Sequence, residues 1–285
     1  MNNTVSTKEQ HMNNTVSTYV RNITVKKRFD ELLQDKAPQF MTSLMSTINS
    51  NPLLQECTPE SVVVSAIKAA SLDLPIDQNL GFAYLIPYNN KKKTKTIVND
   101  KDGKLIEKWS ETSQYECQFQ IGWKGFVQLA IRSGMFHRIN VTDVVEGEYV
   151  GIDRRSGDVT INWDNDNTSR SKKTVVGYLA YFRLVNGLEK DLYMTVGDLD
   201  AHAKRYSQTY KKGYGKWVDD KPAMSKKTVL KLLISRYGAL STSLREAIKA
   251  DQSVLGDDTY DYIDNKPVDK GVDNIQEMPL TATDQ

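Results

Sequence analysis

Trp123 and Lys124 stand where an alternating stretch, QFQIGWKG (118–125), gives way to an apolar-periodic run that ends at Gly134. A Trp, a Lys and a glycine-flanked turn supply stacking, positive charge and close backbone approach. That is the chemistry of holding a ligand, not of breaking a bond. Gln120 adds a hydrogen-bonding side chain on the same strand. A second set lies further on: Lys204, Arg205, Ser207, Lys211, Lys212, Lys216, Lys226, Lys227, Lys231 and Arg236 fall within 33 residues. Carried on helices, such residues form a stripe suited to phosphates, which neutralises charge and reads little sequence. Aromatics interleave with them. Tyr206 and Tyr210 lie on an apolar helix face and read mainly as core. Tyr214 and Trp217 sit in a Gly-containing loop, as open to base stacking as to packing. Trp123 has both readings too, core anchor or stacking surface. Lys124 beside it is the stronger phosphate contact, since cores rarely accept lysine.

Catalytic patterns are missing from the sequence. No GxxxxGK[ST] loop is present to cradle a nucleotide. His11, His137 and His202 are scattered, and Cys57 and Cys117 are 60 positions apart, so no metal set is nominated. Asp198, Asp200, Asp219 and Asp220 read as capping or solvated carboxylates. No catalytic and no metal-binding residue is assigned, and the chain is not read as an enzyme.

The elements that must position these residues can be outlined from periodicity. A helix is expected over about Val25–Ile48, interrupted at Pro38, and another after Thr58–Pro59 with Val63, Ile67, Ala70 and Leu74 inward. Phe82–Tyr88 reads as a strand. Asn90–Ser110 is a polar excursion turning at Asp102–Gly103. Its Lys91, Lys92, Lys93 and Lys95 make either a solvated loop or a basic arm that touches phosphates. Val141–Val145 is expected as a helical turn. Strands are expected at Glu148–Ile152, Val159–Trp163, Thr174–Leu184 and Glu189–Met194, the last two joined by Asn186–Gly187 as a hairpin. Two basic helices follow, the second opened by Pro222 and closed by Gly238. A last helix is expected from Ser243, capped through Glu246. The fold class is α+β, with a central antiparallel β-meander packed with helices.

Composition bounds the rest. The 285 residues are 39% hydrophobic and 26% charged, and no apolar run approaches membrane-spanning length. The two cysteines read as reduced core thiols. The Thr/Asn/Ser-rich start shows no apolar signal segment, which points to the cytoplasm. Met1–Thr7 (MNNTVST) recurs as Met12–Thr18, so residues 1–18 are set aside and 1–24 are expected to be flexible. Residues 251–285 hold nine acids and two lysines, a net −7 against +2 for the whole chain, which leaves the body at +9. The expected organisation is a binding core over 25–250 and a disordered acidic tail over 251–285. A basic body with an acidic tail fits a nucleic-acid binder.

Several ordered segments carry a resemblance. LDLPID (72–77), AYLIPY (83–88), QFQIGWKGFVQLAIRSG (118–134), AHAKRYS (201–207) and MSKKTVLKLLISRYGALS (224–241) are similar to the RecT family of phage single-strand annealing proteins. With the connecting strands they cover roughly 25–245. The resemblance implies a Rad52-like annealing core and ATP-independent binding and pairing of complementary single strands in recombination, with the annealed duplex intermediate retained. It also implies a homo-oligomer, ring or helical filament, with DNA in a basic groove. A phage 5′→3′ exonuclease and the host single-strand-binding protein are the implied partners, in a bacterial host cell. No cofactor is required, although magnesium is expected to favour annealing. Gln120, Trp123, Lys124, Lys204, Arg205, Ser207, Lys226, Lys227 and Lys231 are carried over from matching segments. Lys211, Lys212, Lys216 and Arg236 rest on charge. The chain departs from the family at Ser225, where Ala is common, and in the length of Asn90–Ser110. The competing reading is a passive single-strand coating protein or a DNA-binding regulator that does not anneal.

Overall fold

The computed structural model describes residues 15–99, 105–251, 254–255 and 260–261, with the backbone alone for 91–99, 105–109, 111–112 and the last two pairs. Its elements are helical first. Helix α1 (Val16–Val20) is capped by Thr15 and buries Val16 and Val20. Helical structure therefore begins within the 1–24 segment expected to be flexible. The long helix expected over 25–48 is two helices, α2 (Ile23–Leu33) and α3 (Ala37–Ser50), joined by a tight turn at Gln34–Lys36. The break precedes Pro38. Gln34 has φ +49, whereas Pro38 lies in the first turn of α3, where a missing N–H costs nothing. Helices α4 (Pro52–Gln55) and α5 (Pro59–Ser71) follow, and α5 packs its Val62, Val63, Ala66, Ala69 and Ala70 into the core.

A long antiparallel hairpin comes next. Strands β1 (Ala83–Asn99) and β2 (Leu105–Ile121) pair from Ala83↔Ile121 to Asn99↔Leu105. The polar excursion expected over 90–110 is thus the continuation of both strands. A run rich in polar residues looks like loop in a hydropathy pattern, yet the ladder needs only backbone. The turn at Asp102–Gly103 lies outside the described residues. Near the core the two faces differ sharply. Ala83, Leu85, Cys117, Phe119 and Ile121 are buried among apolar residues, while Tyr84, Ile86, Tyr88, Gln118 and Gln120 share the other face. Both cysteines are buried and unpaired, and burial pushes the Cys57 thiol up to about 12.

Helix α6 (Trp123–Arg132) leads to β3 (Phe136–Val145), which includes the stretch expected to be a helical turn. Strands β4 (Tyr149–Ile152) and β5 (Val159–Ile161) form their own hairpin, followed by α7 (Asn167–Arg170). Strands β6 (Val175–Leu184) and β7 (Glu189–Thr195) complete a sheet of order β3-β6-β7. The α+β class holds, but the single meander resolves into small antiparallel sheets. Fully buried Glu148 explains the detour between β3 and β6: it accepts Val145 N–H at 2.9 Å and Arg170 Nε–H at 2.8 Å, closing the excursion on itself.

The remaining helices are α8 (Val196–Tyr206), α9 (Gln208–Lys211), α10 (Lys216–Asp219), α11 (Lys221–Tyr237) and α12 (Thr242–Ala250), with short strands β8 (Val254–Leu255) and β9 (Tyr260–Asp261). The cap of α12 is Ser241, whose Oγ accepts Leu244 N–H, two residues before the expected Ser243. One continuous core unites the chain: α5 lies on β2, α11 on β3, β6, β7 and α6, and α12 on α6 and β2.

The β2–α6 junction shows why glycine recurs in it. A Cβ on Gly122 would overlap the carbonyl oxygen of Gly81, and one on Gly125 that of Phe82. Only bare backbone lets the first turn of α6 meet the entry to β1. At its other end Arg132 donates from Nη1 to the carbonyls of Leu72 (3.2 Å) and Asp73 (2.8 Å), tying α6 to the LDLPID segment. Gly125→Ala is expected to cost about 1–3 kcal/mol or more by overpacking. Gly151→Ala meets nothing within 4 Å and should stay within about 0.5 kcal/mol of the parent. Thermal melting of the two variants beside wild type checks this, and equal losses would remove the close-approach argument.

Candidate nucleic-acid interface

The polar face of the hairpin is the floor of a groove. Along β1 it presents Tyr84, Ile86 and Tyr88, and Gln118 and Gln120 stand opposite on β2. Gln120 Nε2 donates to Tyr88 Oη at 2.9 Å and to Gln118 Oε1 at 3.2 Å, which fixes the floor laterally. The wall is the segment that carries α9, α10 and the start of α11. Between floor and wall run two adjoining hollows of about 300 and 960 Å3, which share Gln78, Tyr84, Ile86 and Lys216. Trp123 and Lys124 close one end, and Lys212, Tyr214, Tyr88 and Tyr115 line the other. Ser207 shapes the wall. Its Oγ caps α9 by accepting Tyr210 N–H, and Gly213 and Gly215 turn the chain back with φ of +79 and +93.

The groove is cationic and aromatic at once. Lys124, Lys212 and Lys216 are exposed along it, and Tyr214 is 54% exposed. Asp219 and Asp220 also border it; Asp220 is engaged in capping α11 by accepting Ala223 N–H. Lys226 Nζ lies 5.8 Å from the centre of the Trp123 ring and 3.8 Å from Asp143, so it holds the indole more than it faces solvent.

Several residues singled out from sequence do other work. Lys227 is buried, and its Nζ donates to Asp251 Oδ1 at 2.8 Å. Lys231 Nζ donates to Asp251 Oδ2 at 2.7 Å, and Ile121 N–H reaches Oδ1 at 2.9 Å. Lys227 is therefore a core cation, not an open phosphate contact, and Lys231 is largely committed to the same carboxylate. Asp251, expected to begin a disordered tail, is fully buried at the end of α12. Gln120 and Ser207 are likewise buried and serve the floor and wall. Trp217 is 6% exposed and packs among Tyr210 and His202, so it offers no face to a base. Lys204, Arg205 and Lys211 are exposed outside the groove. Arg236 is exposed further along α11. The lysine-rich stretch 91–95 runs along β1, but its side chains lie outside the described residues.

Sequence reading missed the floor. Tyr84 and Tyr88 carry no motif, and only strand parity combined with the correct register puts them opposite the lysines. Asp251 was missed because a lone acid in an acidic stretch has no distinguishing signal before its partners are known.

Burial opposes ionisation of Asp251, but Lys227 and Lys231 outweigh it and hold the carboxyl below the ordinary carboxylate range. For Lys227 itself burial leads and lowers the pKa, with Asp251 opposing. The two directions belong to one coupled pair. The short bonds to both carboxylate oxygens favour the ionised form, and the Asp251 direction is the one that governs. Among the described residues no three His, Cys, Asp or Glu side chains gather into a metal site, and no helix is long and apolar enough to cross a membrane.

A floor of half-buried tyrosines faces a row of lysines, over a hairpin whose far side is core, so positive charge and aromatic rings meet in one groove. The chain belongs to the RecT family, whose model it matches over residues 38–268. It is 37% identical to the uncharacterized protein YqaK of Bacillus subtilis over 238 residues, 84% of this chain and 70% of that protein. It is 27% identical to Protein RecT of Escherichia coli over 252 residues, 82% and 84% of the two chains. Membership implies a single-strand annealing recombination protein that binds single-stranded DNA, and proteins of this kind are not enzymes.

Replacing Asp251 by Asn leaves two partly or wholly buried ammonium groups without their counter-charge, an expected loss of about 3–5 kcal/mol near neutral pH. In wild type the Asp251 contribution is fully present above the unfolded carboxylate pKa of about 4 and is lost as pH falls through the lower folded value. Melting curves between neutral and strongly acid pH should converge for the two proteins. A constant gap down to the lowest pH would reject the ion cluster as the cause.

Proposed function

We propose that the protein anneals complementary single strands without ATP, holding each backbone against Lys124, Lys212 and Lys216 with bases toward the tyrosine floor. The observation that carries this is the pairing of that lysine row with Tyr84, Tyr88 and Tyr214 in one groove of a RecT-family chain. Two polyanions repel, and a cationic wall lowers that cost without reading sequence. Stacking on tyrosine is tolerant of base identity, so pairing itself supplies the selection. Family membership supports a Rad52-like arrangement of the core and a homo-oligomer, ring or helical filament, in which grooves line up to hold long strands extended. On this reading the protein acts in phage recombination in the bacterial cytoplasm, on strands exposed by a phage 5′→3′ exonuclease and beside the host single-strand-binding protein. Magnesium assists by screening phosphates, with no catalytic role.

The test is annealing. One labelled oligonucleotide is loaded with protein in the absence of ATP, then challenged with its complement or an unrelated strand. Faster duplex formation with the complement alone, relative to a protein-free control, is expected. Binding without acceleration would reduce the protein to a coat. The variant Lys212→Gln with Lys216→Gln should weaken binding to all sequences alike and flatten the salt dependence by roughly 0.7 for each phosphate no longer neutralised. A sequence-selective loss measured by fluorescence anisotropy would contradict backbone binding.

A further inference from the structure

Beyond the groove, His202 and Tyr206 of α8 and the basic residues Lys227, Lys231 and Arg236 of α11 line a second hollow of about 370 Å3. Met224 and Lys227 border both, so the cleft continues the groove along α11 toward that helix's C-terminal end. Its walls are His202, Tyr206 and Ser207 on one side and Lys231, Ser235 and Arg236 on the other. This volume is in the range of small-ligand sites. The aromatic content is ordered. His202 lies 4.7 Å from Tyr206 and 6.4 Å from Trp217, centre to centre, making a row with buried Trp217 at its inner end. Tyr206, at the outer end, is 39% exposed, and the Arg205 guanidinium stands 5.2 Å from its ring centre. Burial, with Lys231 and Arg205 nearby, lowers the His202 pKa, so near neutral pH the imidazole is an uncharged ring rather than another cation. Arg236 is exposed at the rim and has no ion-pair partner among the described residues.

The apolar residues of the cleft would suit many ligands, and its charge narrows the choice. Lys227, Lys231 and Arg236 line it and no acid does; Asp251 engages the first two from beneath, which leaves Arg236 open to a ligand. Cations around an aromatic row, contiguous with a groove for single strands, fit a phosphate attached to a flat ring. We propose that the cleft is a second subsite for single-stranded DNA, taking one unpaired nucleotide of the strand that lies in the groove, with its base against Tyr206 and His202 and its phosphate at Arg236. This rests on the reading of the groove as a single-strand site. It adds that the strand continues past Met224 and Lys227 with one base turned away from its complement. A free nucleotide is the other source of the same chemistry, and contiguity with the groove favours the strand.

Photocrosslinking with an iodouracil-substituted oligonucleotide tests this on the full-length protein. Crosslinks to Tyr206 or His202, mapped by mass spectrometry and not competed by millimolar nucleoside monophosphate, are expected. Competition at low nucleotide concentration would overturn the strand in favour of a free nucleotide. Crosslinks confined to Tyr84, Tyr88, Tyr115 and Tyr214 would overturn the cleft. Tyr206→Leu should lower single-strand affinity about five-fold or more, the lower end for removal of a stacking partner. Arg236→Gln should reduce the salt slope by about 0.7. Unchanged affinity and slope in both, while the Lys212/Lys216 double variant loses binding, would sink the cleft and leave the groove standing. A change in oligomer size without any change in affinity would make the cleft a subunit contact instead. A wild-type protein that binds no single strand would overturn both readings at once.

Discussion

The carboxylate of Asp251 is the point on which the groove depends. Three donors meet it from two elements: Lys227 and Lys231 from α11, and the backbone of Ile121 at the end of β2. An unpaired charge at such depth is costly, so each partner holds the others in place. The result is that the wall of the groove, the end of its floor and the last core helix are clamped to one another. Trp123 and Lys124 follow Ile121 directly, and Met224, which borders both hollows, lies one turn before Lys227. Positions that face the groove are thus set by a contact buried behind it.

This changes what a lysine in a basic stripe means. Lys226 and Lys227 are neighbours in sequence and look interchangeable, but helical geometry sends their side chains in different directions. One covers the Trp123 ring and the other is buried in an ion pair. A removal of both would confound lost charge with lost structure. The exposed Lys212, just past α9, and Lys216, which opens α10, lie where a side chain can be changed with little effect on the core.

Much of the fold was legible. Turns at Asn186–Gly187 and at Gly134, the α8 face through Leu199 and Ala203, and the helix closed by Gly238 follow from local chemistry, and the structure has them. The misreadings share a cause. The long hairpin arms lack an apolar face, so periodicity had nothing to report. Val141–Val145 is a strand because it pairs with β6, a partner remote in sequence. Asp251 and the tyrosine floor depend on tertiary neighbours in the same way. Charge counted along the chain could not separate cations aimed at solvent from those aimed at a carboxylate.

The near half of the hairpin sets two kinds of selection on alternate residues of one strand. Odd positions, Ala83 and Leu85 with Cys117, Phe119 and Ile121, answer to the volume of the core. Even positions, Tyr84, Ile86 and Tyr88 with Gln118 and Gln120, answer to what lies in the groove. The two sets drift under different rules, one accepting shape-conserving exchanges and the other chemistry-conserving ones. Lineages that meet different strands or partners are free to retune the even set while the odd set stands still. A single inserted or deleted residue in this half exchanges the two sets and defeats both. Divergence here should therefore run through substitution, with changes of length displaced to the far end of the hairpin.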